Sequence, residues 1–274
     1  MNISVITINF NNAEGLKKTL ESGASQTWRE YEHIIVDGNS SDGSVRIIQE
    51  YDYKQRSATS QTDTPPTIRW ISDNDNGIYS AMNKGVRMSQ GEYILMLNSG
   101  DTLVDEQVLE RIIPQLEGTE IVQGNTIEEH DGKTIHNCGY GRSEISMCDV
   151  LQGNFLHQAS FCRRDLFVRY GYFDESYAIV ADKKFFMTCL GFHDATFKYV
   201  DIDVANFDTT GISFATSGEW SKKHEEENER LRKELFSSRL RASLELQGDD
   251  ALITKLHIHK WILSITKFLL RLVK

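Results

Sequence analysis

Ile3-Ser4-Val5-Ile6-Thr7-Ile8-Asn9-Phe10-Asn11-Asn12 is the stretch from which the fold is read. Residues 3–8 form a continuous β-rich apolar run. Residues 13–24 then carry apolar side chains at helical spacing, so a buried strand feeds a helix. The same order recurs further along. Residues 33–36 are a second buried run closed by Asp37-Gly38, and Ser41 or Asp42 can cap a helix that reaches Tyr53. Residues 54–66, rich in Ser, Thr and Gln, read as a surface loop. Residues 67–72 are a third strand, 77–89 a helix and 92–97 a fourth strand. This alternation predicts parallel βαβ units with right-handed crossovers, and hence a doubly wound α/β sheet flanked by helices.

After Asp101 the rhythm changes. Residues 105–115 look helical and 120–123 form a strand, and residues 126–135 centre on Asp131-Gly132, a two-residue hairpin turn. Further expected elements are a strand at 159–163, helices at 165–170 and 183–190, and a strand at 196–201. No internal repeat is visible. Residues 219–247 read as a charged helix with Lys222–Glu226, Lys223–Glu227 and Glu229–Lys233 at i,i+4 spacing. Gly248-Asp249-Asp250 breaks it before a last helix at 251–274. The expected division is a body of residues 1–218 and a helical extension of residues 219–274.

The 274 residues carry a net charge of -10, which argues against a general nucleic-acid-binding role. The charge is uneven: residues 219–274 hold twelve Lys/Arg against nine Asp/Glu, and the remainder is strongly acidic. Cys138, Cys148, Cys162 and Cys189 lack C-x-x-C spacing, so they signal neither a zinc site nor a redox pair, and free thiols in a reducing compartment are expected. Met1-Asn2-Ile3-Ser4 lacks the basic start and apolar core of a signal peptide, and no apolar run reaches about eighteen residues. Cytoplasmic action is the expectation.

In an open α/β sheet, ligands bind at the carboxyl ends of the strands. The four strand exits here are Asn9-Phe10-Asn11-Asn12, Asp37-Gly38-Asn39-Ser40-Ser41-Asp42-Gly43, Asp73-Asn74-Asp75-Asn76-Gly77-Ile78-Tyr79 and Asn98-Ser99-Gly100-Asp101. Each is acidic or amide-rich, and the chain has neither a G-x-G-x-x-G nor a G-x-x-x-x-G-K-[ST] motif. Such residues also cap helices. Three carboxylate-bearing exits at one sheet edge repel one another, however, and a divalent cation or a hydroxyl-rich sugar relieves them. Carboxylate ligation favours Mg²⁺ or Mn²⁺.

Ser4–Asn11, Val36–Gly43, Asp75-Asn76-Gly77-Ile78-Tyr79-Ser80-Ala81-Met82-Asn83-Lys84-Gly85 and Gly91-Glu92-Tyr93-Ile94-Leu95-Met96-Leu97-Asn98-Ser99-Gly100-Asp101 together resemble the successive motifs of glycosyltransferase family 2. The resemblance covers roughly residues 1–215 and is nearest to bacterial enzymes of exopolysaccharide and O-antigen synthesis. It implies a GT-A fold, a mixed and mostly parallel Rossmann-like sheet. It also implies inverting transfer of a sugar from a nucleotide diphosphate donor to an acceptor hydroxyl on a glycan or a lipid-linked carrier.

By that resemblance Phe10 and Asn11 border the nucleotide base, Asp37 accepts a hydrogen bond from it, and Asp75 lies near the ribose or phosphates. Asn98-Ser99-Gly100-Asp101 stands where the family has a motif close to Asp-Ala-Asp-Asp. That departure leaves Asp101 as the cation ligand, with Asn98 on ribose or phosphate and most remaining ligands coming from diphosphate and water. Asp182, in Phe173-Asp174-Glu175-Ser176-Tyr177-Ala178-Ile179-Val180-Ala181-Asp182, matches the family's base, its alternative role being a helix N-cap; Asp174 organises the loop. His157-Gln158 matches a recurring pair that touches acceptor or donor phosphate, or is structural. Asp208-Thr209-Thr210-Gly211-Ile212-Ser213 resembles a loop that closes over the diphosphate, or is a simple turn.

In residues 251–274, His257, Lys260, Ser264, Lys267, Arg271 and Lys274 draw one polar stripe down an otherwise apolar helix. This pattern suits the plane of an anionic membrane surface, or packing onto the body or a second copy, and the charged helix before it would be a spacer or a homodimer element. Two other functions compete: a sugar nucleotidyltransferase, which lacks its usual Gly-rich basic loop here, and a catalytically silent scaffold.

Overall fold

The computed structural model describes residues 3–57, 66–130, 133–209 and 218–236. The hairpin turn expected at Asp131-Gly132, the Gly211-Ile212-Ser213 loop and the helix at 251–274 lie outside the described residues, as does most of the loop expected at 54–66. The chain divides into two units, residues 1–220 and 221–274.

The first unit is built on one nine-stranded sheet. β1 (Ile3–Asn9), β2 (Tyr31–Asp37), β3 (Thr67–Ser72) and β4 (Tyr93–Met96) pair in parallel in the order β3-β2-β1-β4. Every residue of β1 and β2 is buried, as expected of central parallel strands covered on both faces. α1 (Ala13–Ala24), α2 (Ser44–Ser57) and α3 (Ile78–Met88) make the crossovers. Leu16, Leu20, Ile48 and Tyr51 of α1 and α2 pack on Ile35 and Ile68. α4 (Val108–Leu116) covers Val5, Leu95, Leu97, Val122 and Phe161 with Val108, Leu109, Ile112 and Leu116. Gly85 of α3 lies so close to β1 that a Cβ there would collide with Ile6, which explains a glycine inside a helix.

Beyond β4 the sheet changes sense. β8 (Ser160–Arg163) runs antiparallel to β4 and to β6 (Ile121–His130), which pairs antiparallel with β7 (Lys133–Asn137) and in parallel with β9 (Phe197–Phe207); β5 (Thr102–Leu103) closes the edge against β9. The sheet is therefore mixed, with its parallel half at the amino-terminal side. The last strand is longer than the expected residues 196–201, because its second half finds a partner in β6 beyond an irregularity at Asn125. α5 (Met147–Gln152) and β5 have no counterpart in the sequence reading. β5 is two residues held by pairing with β9, and α5 is a short helix closed locally by a Ser146–Asp149 capping box and a left-handed Gly153. α6 (Asp165–Tyr170) falls where expected, and α7 (Ala181–Met187) runs into a single π-helical turn at Thr188–Phe192. Cys138, Cys162 and Cys189 are free.

α8 (Gly218–Leu235), which crosses the division at residue 220, forms the Lys222–Glu226 pair at 3.7 Å and the Glu229–Lys233 pair. Both are exposed and screened by solvent, and they add little to stability. Among the described residues no helix is long and apolar enough to cross a membrane.

One buried group sets an acid limit on the body. His33 of β2 is 0% exposed, with Nε2 2.9 Å from Thr7 Oγ1 and Nδ1 3.1 Å from the Tyr51 hydroxyl. Burial lowers its pKa from 6.5 to about 4. Between those values the unfolded chain binds a proton that the native state refuses, so stability falls as pH drops through this window. The expected loss is about 3 kcal/mol at pH 4, and His33→Gln should flatten this part of a plot of Tm against pH. An unchanged profile in the variant would assign the acid limit elsewhere.

Candidate active site

The parallel register brings the exits of β1, β2 and β3 side by side, with Asn9 opposite Asp37 and Asp37 opposite Ser72. Asp37 is fully buried and ties them together. Its Oδ1 accepts from Asn9 Nδ2 at 2.7 Å and from Ser40 Oγ at 2.6 Å; its Oδ2 accepts from Ser72 Oγ at 2.7 Å and from Ser40 N at 2.9 Å. Burial alone would raise its pKa, but these donors outweigh it and hold the carboxyl below the usual range. All four bonds are internal. They fix Asp37 in the floor of the site.

Above that floor Phe10 is 68% exposed. Asn11 holds a positive φ of 49°, fixed by bonds to Ser40 Oγ and to the Ser41 amide. Gly38 faces Phe10, and a Cβ there would lie 3.1 Å from the ring and 3.4 Å from Asp75 Oδ2. Asp75 is ion-paired with Lys84 of α3. Phe10, Gly38 and Asp75 therefore share one recess, an aromatic face with a carboxylate beside it.

The Asn98–Asp101 turn is the second wall. Thr19 of α1 pins it, accepting from Gly100 N at 3.0 Å and donating to Asp101 O at 2.7 Å, and Asn12 donates to Ser99 O at 3.1 Å. Asp101 is 3% exposed, and its Oδ1 accepts from Asp208 N at 2.9 Å. Burial raises its pKa to about 7; the Asp208 carboxylate adds to this rise, while His157 and the backbone donors oppose it. Asn98 Oδ1 is buried without a hydrogen-bond partner. A carboxylate that resists ionisation beside a second acid is a fit for a hard cation. Among the described residues no group of three His, Cys, Asp or Glu gathers for one; the carboxylates at this turn are Asp101 and, beside Gly100, Asp208.

The third wall comes from the 173–182 loop. Asn83 of α3 donates to Phe173 O at 2.9 Å and to Glu175 Oε1 at 2.8 Å, and accepts from Phe173 N at 3.0 Å. Asp174 bonds Lys184 Nζ at 2.7 Å and Ser176 N at 3.0 Å, the loop-organising role expected of it. Asp182 is then delivered to the first turn of α7. The N-cap of that helix is Val180 and makes no side-chain cap, so capping is not what Asp182 does. Its Oδ1 accepts from the Tyr79 hydroxyl at 2.8 Å, and its Oδ2 lies 3.0 Å from His157 Nδ1. Burial pushes its pKa up, but His157 and Tyr79 more than offset this and keep it ionised. The partner effect on His157 is opposite: burial lowers its pKa, and Asp182 raises it by more.

His157 stands between the second and third walls, its Nε2 3.3 Å from Asn98 Nδ2. Both ring nitrogens are engaged within the protein, Nδ1 with Asp182 and Nε2 with Asn98. Gln158 is buried in the same short 3₁₀ turn. The structure thus gathers Asn98, Asp101, His157 and Asp182 around one space, and sets Phe10, Asn11 and Asp75 along the neighbouring strand exits. Tyr79 and Asn83 were missed as site residues. Their signal was a helical i,i+4 pair of polar groups on the buried face of α3.

A profile described as Glycosyl transferase family 2 matches residues 4–142, half of the chain. The chain belongs to that family and is a glycosyltransferase. An uncharacterized glycosyltransferase of Mycobacterium tuberculosis (strain CDC 1551 / Oshkosh) is 29% identical over 226 residues, 77% of this chain and 76% of the relative. A PGL/p-HBAD biosynthesis glycosyltransferase of Mycobacterium bovis (strain BCG / Pasteur 1173P2) is 28% identical over 211 residues, 76% of this chain and 77% of the relative. Residues 1–349 of S. aureus TarS, solved with UDP-GlcNAc, superpose with a TM-score of 0.62 at 17% identity, over 80% of this chain and 62% of that one. The mannosyltransferase PcManGT from Pyrobaculum calidifontis, solved with GDP-Man and Mn²⁺, gives 0.54 at 15% identity, over 73% of this chain and 54% of that one. This chain spans 46% of the longer TarS chain. At such identities the structures establish the fold, which is GT-A.

Gly100 has a φ of +109°, and a Cβ there would collide with Asp208 Oδ2. Gly100→Ala should cost about 2–4 kcal/mol through strain and overpacking. At roughly 2–4 °C per kcal/mol, the melting temperature drops on the order of 10 °C. Gly118→Ala, at a φ of +74° with nothing within 4 Å, should fall by much less in the same thermal scan.

Proposed function

We propose that this chain transfers a sugar from a nucleoside diphosphate sugar to an acceptor hydroxyl with inversion, during synthesis of a cell-surface glycan. The observation that carries the reading is Asp182. It is an ionised carboxylate held by two donors and facing the Asn98–Asp101 turn across one imidazole. The nucleotide base lies on Phe10, with Asn11 fixing the loop and Asp75 toward the ribose or phosphates. Asn98, with its orphaned Oδ1, faces the ribose or a phosphate. Structural neighbours solved with nucleotide sugars, TarS with UDP-GlcNAc and PcManGT with GDP-Man, support the donor class.

Asp101 and Asp208 would hold Mg²⁺ or Mn²⁺, which when bound offsets the charge that grows on the leaving diphosphate. The protein's own step is a single displacement. Asp182 takes the proton of the acceptor hydroxyl as that oxygen bonds to the anomeric carbon. The bond to the diphosphate breaks with its electron pair leaving on phosphate oxygen. One attack from the opposite face inverts the configuration, and base assistance of this kind is worth about 10²–10⁴ in rate. The acceptor is a glycan or a lipid-linked carrier. With residues 251–274 on an anionic membrane surface, the enzyme would act from the cytoplasmic face, residues 1–218 being the catalytic domain and 219–274 the extension that docks or pairs it.

Thermal stability against UDP, GDP, dTDP and CMP, each with and without Mn²⁺, tests the donor site. A nucleotide at a hundred times its Kd should add about 2.7 kcal/mol, a rise of several degrees. The expected result is a rise with one nucleotide that requires both Mn²⁺ and Asp101, lost in Asp101→Ala. A rise independent of Mn²⁺ would remove Asp101 from cation binding. No rise with any nucleotide would point instead to a silent scaffold.

A further inference from the structure

His157 has a more particular place than a contact residue. Its ring is wedged between Asn98 and Asp182, with both nitrogens engaged: Nδ1 at 3.0 Å from Asp182 Oδ2 and Nε2 at 3.3 Å from Asn98 Nδ2. It lines a small cavity that is mostly apolar, with Met96, Phe173 and Phe186 among its neighbours there. His157 starts a short 3₁₀ turn that leads straight into β8, the strand paired with β4, and β4 ends at Met96, two residues before Asn98. On the far side of Asp182, Oδ1 is held by Tyr79 at 2.8 Å. Asp182 is thus clamped at one oxygen from α3 and at the other from the β8 entry. This fixes the plane of its carboxylate relative to the donor-side turn.

We infer that His157 is a positioning residue for the transfer: its Nδ1–H orients Asp182, while its Nε2 ties that orientation to Asn98 on the donor side. The inference rests on the reading of Asp182 as the base. A carboxylate left free to rotate is a poorer base without being a weaker ligand, because misplacement by about an ångström costs on the order of 100-fold in rate. His157 therefore acts on kcat and leaves nucleotide affinity in place. The two ring nitrogens also make separable demands. An asparagine amide occupies the place of Nδ1 and keeps the bond to Asp182, whereas a glutamine amide occupies the place of Nε2 and keeps only the contact with Asn98.

The test uses the full chain with Mn²⁺ and a panel of UDP-GlcNAc, UDP-glucose, GDP-mannose and dTDP-rhamnose. It measures the rate of nucleoside diphosphate release, its KM and the Kd of the product nucleotide. The expected outcome is that His157→Ala and His157→Gln lose about 100-fold in kcat. Both should keep the nucleotide Kd within about threefold, and His157→Asn should retain most of the rate. Equal losses in the Asn and Ala variants, or a loss that appears in Kd and not in kcat, would overturn the inference. Asp182→Asn separates the two levels: if it remains as active as wild type, the base reading itself fails; if it is inactive while His157→Ala is active, only the positioning role fails. Proton NMR of the unliganded chain supplies a readout independent of turnover. A downfield imidazole N–H resonance should be present in wild type and lost or shifted in Asp182→Asn. Its absence from wild type would overturn the inference even if none of the four donors is consumed.

Discussion

The carboxylate of Asp37 is the interaction on which the arrangement of the site depends. One buried group accepts four hydrogen bonds, from Asn9 at the end of β1, from Ser72 at the end of β3 and twice from Ser40 in its own loop. Parallel strands do not by themselves hold their exit loops together, because the backbone ladder ends where the strands end. A charge taken out of water must be fully satisfied, and here its donors come from three different strand exits. The result is a rigid floor from which Phe10 projects outward and against which Gly38 and Asp75 sit. Losing one donor would leave an under-satisfied buried charge, so the three exits are coupled more strongly than their sequence separation suggests.

α3 performs the matching task for the opposite wall. Its amino-terminal half carries Tyr79 and Asn83 one turn apart, and these reach the 173–182 loop about ninety to a hundred residues later in the chain. The helix can do this only because Gly85 allows it to lie directly on β1 at Ile6. The floor at Asp37 and the loop that delivers Asp182 are consequently referenced to the same strand. A loop that presents a carboxylate in one place needs such a brace, since loop backbone alone does not hold a side chain to within a fraction of an ångström.

Electrostatics divide the carboxylates by role. Asp37 and Asp182 are ionised because neighbouring donors outweigh their burial, whereas Asp101 has too few donors and its pKa rises to about 7. In a site of low dielectric, an acid that resists ionisation next to Asp208 marks where added positive charge is most stabilising. His157 joins the two walls, its Nδ1 3.0 Å from Asp182 and its Nε2 3.3 Å from Asn98.

The sequence by itself determined the parallel half of the fold, its strand exits and the family, because buried runs such as Ile3–Asn9 and the helices after them are written in local periodicity. It also singled out Asp101, Asp182 and His157 as candidate chemical residues and Asp174 as the organiser of its loop. Tertiary structure alone decided what surrounds each of them. That Asp37 meets Asn9 and Ser72 depends on strand register, which no single segment encodes. Whether Asp182 caps a helix or stands beside a donor site depends on Tyr79 and His157, which lie 103 and 25 residues away in the chain. Short elements such as β5 and the second half of β9 were invisible for the same reason: they exist because of the strands they pair with, and local sequence carries no record of a partner.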